Sequence, residues 1–266
     1  MAAAALALVS IHVSVAAAGS DDQASSADDI ARKLADPAAP IVSVPLQCNY
    51  LAEAGPDGRY DNQQLKLQPV IPFVGDRGKY LLRPILPIVS NEFPAHEDGF
   101  GDLFVQGYYI PRRAAAKTEI GFGAAVLVPT ASRDSLGTGK WSLGPAGVVV
   151  YKTSDHKWTL GAVANHVWSV AGDNDRSDVS LTNVQPLVTR NLAHGWTVTF
   201  TSETSYNWKG SAGEKWTIPL GVTASKVVKL GRWPISFGGG AFYNVERPDL
   251  VNRWSGRLTM TLVIPE

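Results

Sequence analysis

Side chains that could activate a nucleophile lie around His166, with Asn165 beside it and Ser169 three residues further on. A serine, a histidine and an asparagine or aspartate in contact can activate a hydroxyl group to attack an ester. No G-x-S-x-G motif accompanies these residues, and a histidine without an oriented partner seldom indicates catalysis. Because Trp168 flanks His166, the pattern favours a packing role for this histidine.

Oxygen donors cluster between Asp173 and Asp178, but this segment lacks the sharp-turn glycine and the distal glutamate of a calcium loop. A solvated acidic loop is the favoured interpretation. His96, His156 and His194 are far apart, and Cys48 is the only cysteine, so zinc-ligand spacing is absent. The H-E-x-x-H, P-loop and G-x-G-x-x-G motifs are absent too. The sequence therefore predicts no catalytic residues, no metal site and no cofactor.

The charge balance bears on the partners of the chain. Among 266 residues, lysine and arginine total 24, and aspartate and glutamate also total 24. This balance removes any electrostatic argument for binding nucleic acid. The length suits one large all-β domain.

The N-terminal residues differ in composition from the rest. Met1–Ala18 is an apolar run with small residues before Gly19, which predicts a secretory signal peptide, although no basic residue precedes Arg32. An Ala-rich tail is the alternative. Residues 19–40 predict a short helix that ends before Pro37, in a segment that either hangs in the periplasm or plugs the following domain.

From residue 41 to residue 266 the hydropathy alternates with period two, as in β-strands. In the last strand, Trp254, Leu258 and Met260 alternate with polar side chains such as Arg257 and Thr259. Segments of about ten residues match the span that a tilted strand needs to cross a bilayer. The alternation predicts strands whose apolar face meets lipid.

The predicted fold class is all-β, a closed antiparallel up-and-down transmembrane barrel of about twelve strands. The predicted strands are Val42–Tyr50, Gln63–Phe73, Lys79–Val89, Asp102–Ile110, Glu119–Val128, Trp141–Tyr151, Trp158–Val170, Val179–Thr189, Trp196–Glu203, Lys215–Thr223, Pro234–Tyr243 and Arg253–Ile264. Connections between them alternate in length, long after odd-numbered strands and short after even-numbered ones. Tryptophan and tyrosine recur near the strand ends, as in the two aromatic girdles of membrane barrels.

Side chains on the polar face of the strands are expected to line the lumen. The predicted lining residues are Gln47, Asn49, Gln64, Lys66, Gln68, Arg83, Gln106, Glu119, Asn183, Gln185, Glu203 and Lys215. They either border a narrow polar passage or pair in a network that fills the lumen, such as Arg83 with Glu119 or Glu203. Both alternatives stay open.

Residues 26–266 resemble a family of bacterial outer-membrane barrels catalogued as transporters, often mislabelled neuromedin U, and related to barrels of phenol-degradation (MetA-type) pathways. The blocks that carry the resemblance are Ile41–Gln47, Leu67–Phe73, Arg83–Pro87, Leu127–Thr130, Leu136–Pro145, Asn165–Asp173, Ser202–Trp208 and Lys215–Pro219. Departures include Cys48 and the run Arg112–Ala116. The resemblance implies export, a barrel in the outer membrane and insertion there by the barrel-assembly machinery, but no accepted functional residues.

Three functions fit this barrel. The first is a channel or transporter, in contact with outer-membrane lipid, for small solutes that the phenol-pathway relatives suggest are hydrophobic. The second is a lipid-active enzyme that depends on His166. The third is a non-transporting barrel that braces the envelope or binds partners through its loops.

Overall fold

The computed structural model describes residues 20–94, 96–112 and 117–264. One helix, α1 (Ser20–Leu34), precedes the barrel. The barrel strands are β1 (Ser43–Ala54), β2 (Tyr60–Leu67 and Ile71–Val74), β3 (Gly78–Asn91), β4 (Glu97–Phe100 and Leu103–Pro111), β5 (Thr118–Val128), β6 (Lys140–Lys152), β7 (Trp158–Gly172), β8 (Ser180–Asn191), β9 (Trp196–Ser202 and Thr204–Asn207), β10 (Trp216–Leu230), β11 (Trp233–Glu246) and β12 (Trp254–Val263).

Each strand pairs antiparallel with the next one along the chain, and β12 pairs with β1, which closes the ring. In the closing pair, Leu46 lies opposite Met260 and Asn49 lies opposite Arg257. Closure leaves no edge strand with unpaired backbone groups. The predicted fold class, a closed antiparallel barrel of twelve strands with a short N-terminal helix, is confirmed.

Three strands are interrupted. In β2 the break contains Pro69, which has no N–H to donate to the neighbouring strand. In β4 the break falls at Gly101 and Asp102, and in β9 it falls at Glu203. Each break lies inside or directly beside a segment that the sequence predicted as one continuous strand.

The two ends of the barrel differ in their connections. At one end lie the short turns 75–77, 153–157, 192–195 and 231–232, and β4 is connected to β5 at the same end. At the other end the longest connection is 129–139, which contains the 3-10 turn Asp134–Leu136. Connections 129–139, 173–179, 208–215 and 247–253 are longer than most of these turns, as predicted. Connections 55–59 and 92–96 were predicted to be long as well, but they are no longer than the turn 153–157, because β1, β2, β3 and β4 extend further toward this end than the alternation indicated.

The outer face of the barrel is apolar. Leu258, Phe122 and Val170 are among its exposed hydrophobic side chains, at 69%, 61% and 59% exposure. None of the described helices combines the length and the apolar character needed to cross a membrane.

Apolar side chains are concentrated on one side of the inner face. Apolar side chains on β3 to β7 form the buried cluster: Leu81, Tyr108, Ile110, Ala125, Ala146, Val148, Val150, Val163 and Val167. Polar side chains on β1, β9, β11 and β12 are buried on the other side: Gln47, Asn49, Thr197, Ser202, Ser236, Asn244 and Thr261. This apolar cluster was not predicted, because in β6 Val149 faces outward between Val148 and Val150, so both faces of the strand are apolar.

The residues before β1 enter the barrel at the short-turn end. Ala27 and Ala31 of α1 pack against Val227 of β10, and the Asp28 carboxylate accepts a hydrogen bond from the Gly195 N–H in a short turn. The helix ends at Leu34, before Pro37, as predicted. Ala38 then joins the apolar cluster inside the barrel. The predicted signal peptide, residues 1–18, lies outside the described residues.

Candidate functional site: the barrel lumen

A polar network crosses the lumen at the break in β9. The Glu203 carboxylate lies 2.6 Å from Arg257 Nη1 and 3.7 Å from Lys66 Nζ. In the barrel wall β9 is separated from β12 by β10 and β11, so these contacts bridge the lumen rather than neighbouring strands. Glu203 therefore forms a cross-lumen bridge, defined here as Glu203 with Arg257 and Lys66.

The network continues along β1 and β2. Arg257 Nε donates to Asn49 Oδ1 at 2.9 Å, and Gln47 Nε2 donates to the same oxygen at 3.2 Å. Gln68 then donates to Gln47 at 3.3 Å and accepts from Arg83 at 3.0 Å. Because the chain of hydrogen bonds is continuous, each side chain fixes the position of the next.

Arg257 was absent from the predicted lining residues. It lies on the polar face of the last strand, in alternation with Leu258 and Met260, so the signal needed to find it was present in the sequence. Its guanidinium also lies 4.1 Å from the centre of the Phe242 ring, which is buried. This cation–π contact holds the guanidinium inside the barrel.

A second ionic network ties the N-terminal segment to the barrel wall. Lys152 Nζ lies 2.8 Å from Asp36 Oδ2 and 2.7 Å from Glu119 Oε1, and Lys79 Nζ lies 2.5 Å from Glu119 Oε2. Asp36 also accepts a hydrogen bond from the Ala38 N–H. Two cations and two carboxylates balance in this cluster, which we call the segment lock.

The suggested pairing of Arg83 with Glu119 or Glu203 is not the pairing in the structure. Glu203 pairs with Lys66 and Arg257, and Glu119 pairs with Lys79 and Lys152. The alternation identifies the inward-facing residues. The stagger between strands decides which of these residues lie at the same height along the barrel axis and can therefore pair.

A cavity of about 310 Å³ lies between the two networks. Lys33, Asp36 and Ile41 of the N-terminal segment border it on one side, and Arg83 and Arg257 border it on another. Its walls combine apolar side chains of the buried cluster with hydroxyl groups, among them Thr199, Thr223, Ser225, Ser236, Thr259 and Thr261.

The remaining predicted lining residues are distributed around these networks. Asn49 donates to the backbone carbonyl of Gln64, Asn183 donates to Asn165 at 3.0 Å, and Gln185 borders the cavity. Gln106 is buried and lies opposite Arg83 in the pairing of β3 with β4. Lys215 precedes β10 at the end with the longer connections, away from both networks.

His166 lies on the outer face of β7, opposite to the face that carries Asn165 and Val167. Its Nδ1 is 2.8 Å from Thr182 Oγ1, and its ring packs near Trp168 and Trp208. Asn165 accepts a hydrogen bond from Asn183, and Ser169 donates one to Asp178. The catalytic group that the sequence allowed is therefore not assembled.

The possible metal ligands are similarly dispersed. Within the part of the chain that the structure describes, no three His, Cys, Asp or Glu side chains come together as a metal site. Asp178 pairs with Lys140 and accepts a hydrogen bond from Ser169, whereas Asp173 accepts one from the Asp175 N–H. His156 and His194 occupy tight turns with positive φ.

Closure, an apolar outer face and a partly polar interior define the class of fold: a closed antiparallel barrel of the outer-membrane type. The sequence matches no protein-family model and no curated protein.

Among solved structures, an outer membrane channel from Pseudomonas putida F1 is similar, with a TM-score of 0.66 and 15% identity over 86% of this chain and 98% of that one. The β-domain of the Bordetella autotransporter BrkA matches with a TM-score of 0.39 and 13% identity, over 83% of this chain and 98% of that one. The first of these matches confirms the resemblance at the level of the fold, and the particular family stays a prediction.

Proposed function

We propose that this protein is an outer-membrane channel through which small solutes cross along the barrel lumen. The observation that carries the proposal is a closed barrel whose outer face is apolar while its interior encloses a cavity bordered by charged and hydroxyl side chains. The likeness in fold to a solved outer membrane channel supports the same function.

The apolar outer face supports a membrane location. Soluble monomers rarely expose contiguous apolar patches larger than a few hundred Å². At the short-turn end, cations lie over outward-facing tryptophans: Arg190 over Trp158 and Lys226 over Trp196, at 4.8 and 5.3 Å. Such pairs suit the headgroup layer, where the ring meets lipid and the charge meets phosphate.

Two structural features restrict the proposed pathway. The cross-lumen bridge narrows the lumen at the level of Glu203, and residues 33–41 border the cavity at the short-turn end. We infer that conduction requires the cross-lumen bridge to open, residues 33–41 to move, or both. In this proposal the short-turn end faces the periplasm, the barrel contacts outer-membrane lipid, and the barrel-assembly machinery inserts it.

The test is planar-bilayer conductance of the refolded protein, with residues 19–40 present or deleted. We expect conductance to rise when the segment is deleted, because part of the cavity boundary is removed. The Glu203→Gln variant is expected to conduct better as well, because a neutral amide holds Lys66 and Arg257 less tightly. Glu246→Gln, an exposed carboxylate at the end of β11, is the matched control and leaves conductance unchanged.

Absence of current in all of these forms would overturn the channel function and leave the barrel fold standing. Folding of each variant is checked by heat-modifiable migration in electrophoresis. Fractionation of the expressing cells tests the proposed outer-membrane location independently.

A further inference from the structure

The cavity carries a positive charge that its own carboxylates do not balance. Asp36 pairs with Lys152, and Glu203 serves both Arg257 and Lys66. Arg83 hydrogen-bonds the neutral amide oxygen of Gln68. Within residues 20–94, 96–112 and 117–264, no carboxylate lies within salt-bridge distance of Arg83.

A partly buried cation without a carboxylate partner is costly, and an incoming anion relieves that cost. A guanidinium offers a planar fork of N–H groups that matches a carboxylate, and Gln68 occupies only one of them. Arg83 therefore retains N–H groups for an anionic ligand in the same cavity. Lys33, which also borders the cavity, adds to the positive potential.

The same cavity has an apolar side. Leu81, Val148, Val163 and Leu187 border it, and the Tyr108 ring, which is buried, lies beside them. Leu81 and Arg83 alternate on β3, so the apolar side and the cation are only one side-chain step apart along the lumen. A ligand that satisfies both sides has an anionic head and an apolar body.

We propose that the cavity is a binding site for a small amphipathic carboxylate, with the carboxylate at Arg83 and the apolar body against Leu81, Val148 and Val163. The inference rests on the proposed channel function, because the cavity lies on the same pathway, and it names the class of solute. The cavity volume of about 310 Å³ lies at the lower end of the range for ligand pockets, which sets the size as small.

The test is calorimetric titration of the refolded full chain in detergent with three probes. Hexanoate has the charge and the apolar body, hexanamide lacks the charge, and acetate lacks the body. We expect saturable binding of hexanoate and at least tenfold weaker binding of the other two.

The variant Arg83→Gln should weaken hexanoate binding roughly ten- to hundredfold, the loss expected for a charge-assisted hydrogen bond. Arg190→Gln is the matched control, because Arg190 stacks on Trp158 on the outer face, and it leaves binding unchanged. Val163→Thr keeps the shape of the apolar wall and adds a hydroxyl group. It should weaken hexanoate severalfold while leaving the weak acetate signal as it was.

Equal binding of hexanoate and hexanamide, or unchanged binding in a folded Arg83→Gln variant, would overturn the inference. The outcomes for the two proposals are separable. Saturable hexanoate binding without any conductance refutes the channel and keeps the site, whereas conductance without hexanoate selectivity refutes the site and keeps the channel.

Discussion

The geometry of the segment lock predicts how much a single substitution weakens the docking of the N-terminal segment. Replacing Lys152 with methionine keeps the apolar stem and removes the charge and its hydrogen bonds, at 2.8 Å to Asp36 and 2.7 Å to Glu119. Glu119 retains Lys79, but Asp36, which is 7% exposed, retains only the Ala38 N–H among its partners in the described part of the chain. The substitution therefore mainly weakens the contact between the N-terminal segment and the barrel wall.

A hydrogen bond to a charged group contributes about 1.5–3 kcal/mol. The Lys152 side chain is 31% exposed, so solvent screening favours the lower part of that range. A value of about 2 kcal/mol corresponds to a roughly thirtyfold increase in the population in which the segment is undocked.

Hydrogen exchange measured by mass spectrometry on peptides covering residues 27–41 reports this population directly. We expect protection in the Lys152→Met variant to fall roughly thirtyfold in these peptides, while the barrel strands keep theirs. Lys157→Met, in the exposed turn 153–157, is the control and leaves the segment protected. Unchanged protection in Lys152→Met would refute the assignment of the lock, and a uniform loss across the strands would show that the barrel itself had been damaged.

Three further predictions concern the wall of the barrel. Gly123→Ala should impair folding severely, because a Cβ there would lie 1.8 Å from the Gly107 carbonyl oxygen, whereas Gly107→Ala meets nothing within 4 Å and should fold normally in a urea titration. Leu258→Lys should destabilise the barrel in lipid vesicles by about 2–4 kcal/mol, while Leu250→Lys in the exposed connection between β11 and β12 should have little effect, and equal effects would argue against a lipid-facing outer wall. Esterase assays of the refolded protein and of His166→Ala should show the same background hydrolysis, and activity that disappears in the variant would revive the enzyme hypothesis.

The strands could be read from the sequence because their pattern is local. In β12, each polar residue between Trp254 and Met260 faces inward, and the residues that alternate with them face outward. Where both faces are apolar, as in β6, the sequence pattern locates the strand but does not predict which of its side chains face the lumen. The break at Pro69 had a local signal, whereas the break at Glu203 had none, since its neighbours are ordinary strand residues.

The composition and alternation of the sequence determined about twelve strands, each with one face for lipid, and a short helix before them, because these features depend on residues close together in the chain. Only the tertiary structure decided that Glu203 meets Arg257 and Lys66 across the lumen, that Arg83 has no carboxylate within salt-bridge distance among the described residues, and that residues 33–41 border the lumen cavity. These contacts join residues far apart in the chain, and they depend on the stagger of twelve strands around a ring, which no local pattern encodes.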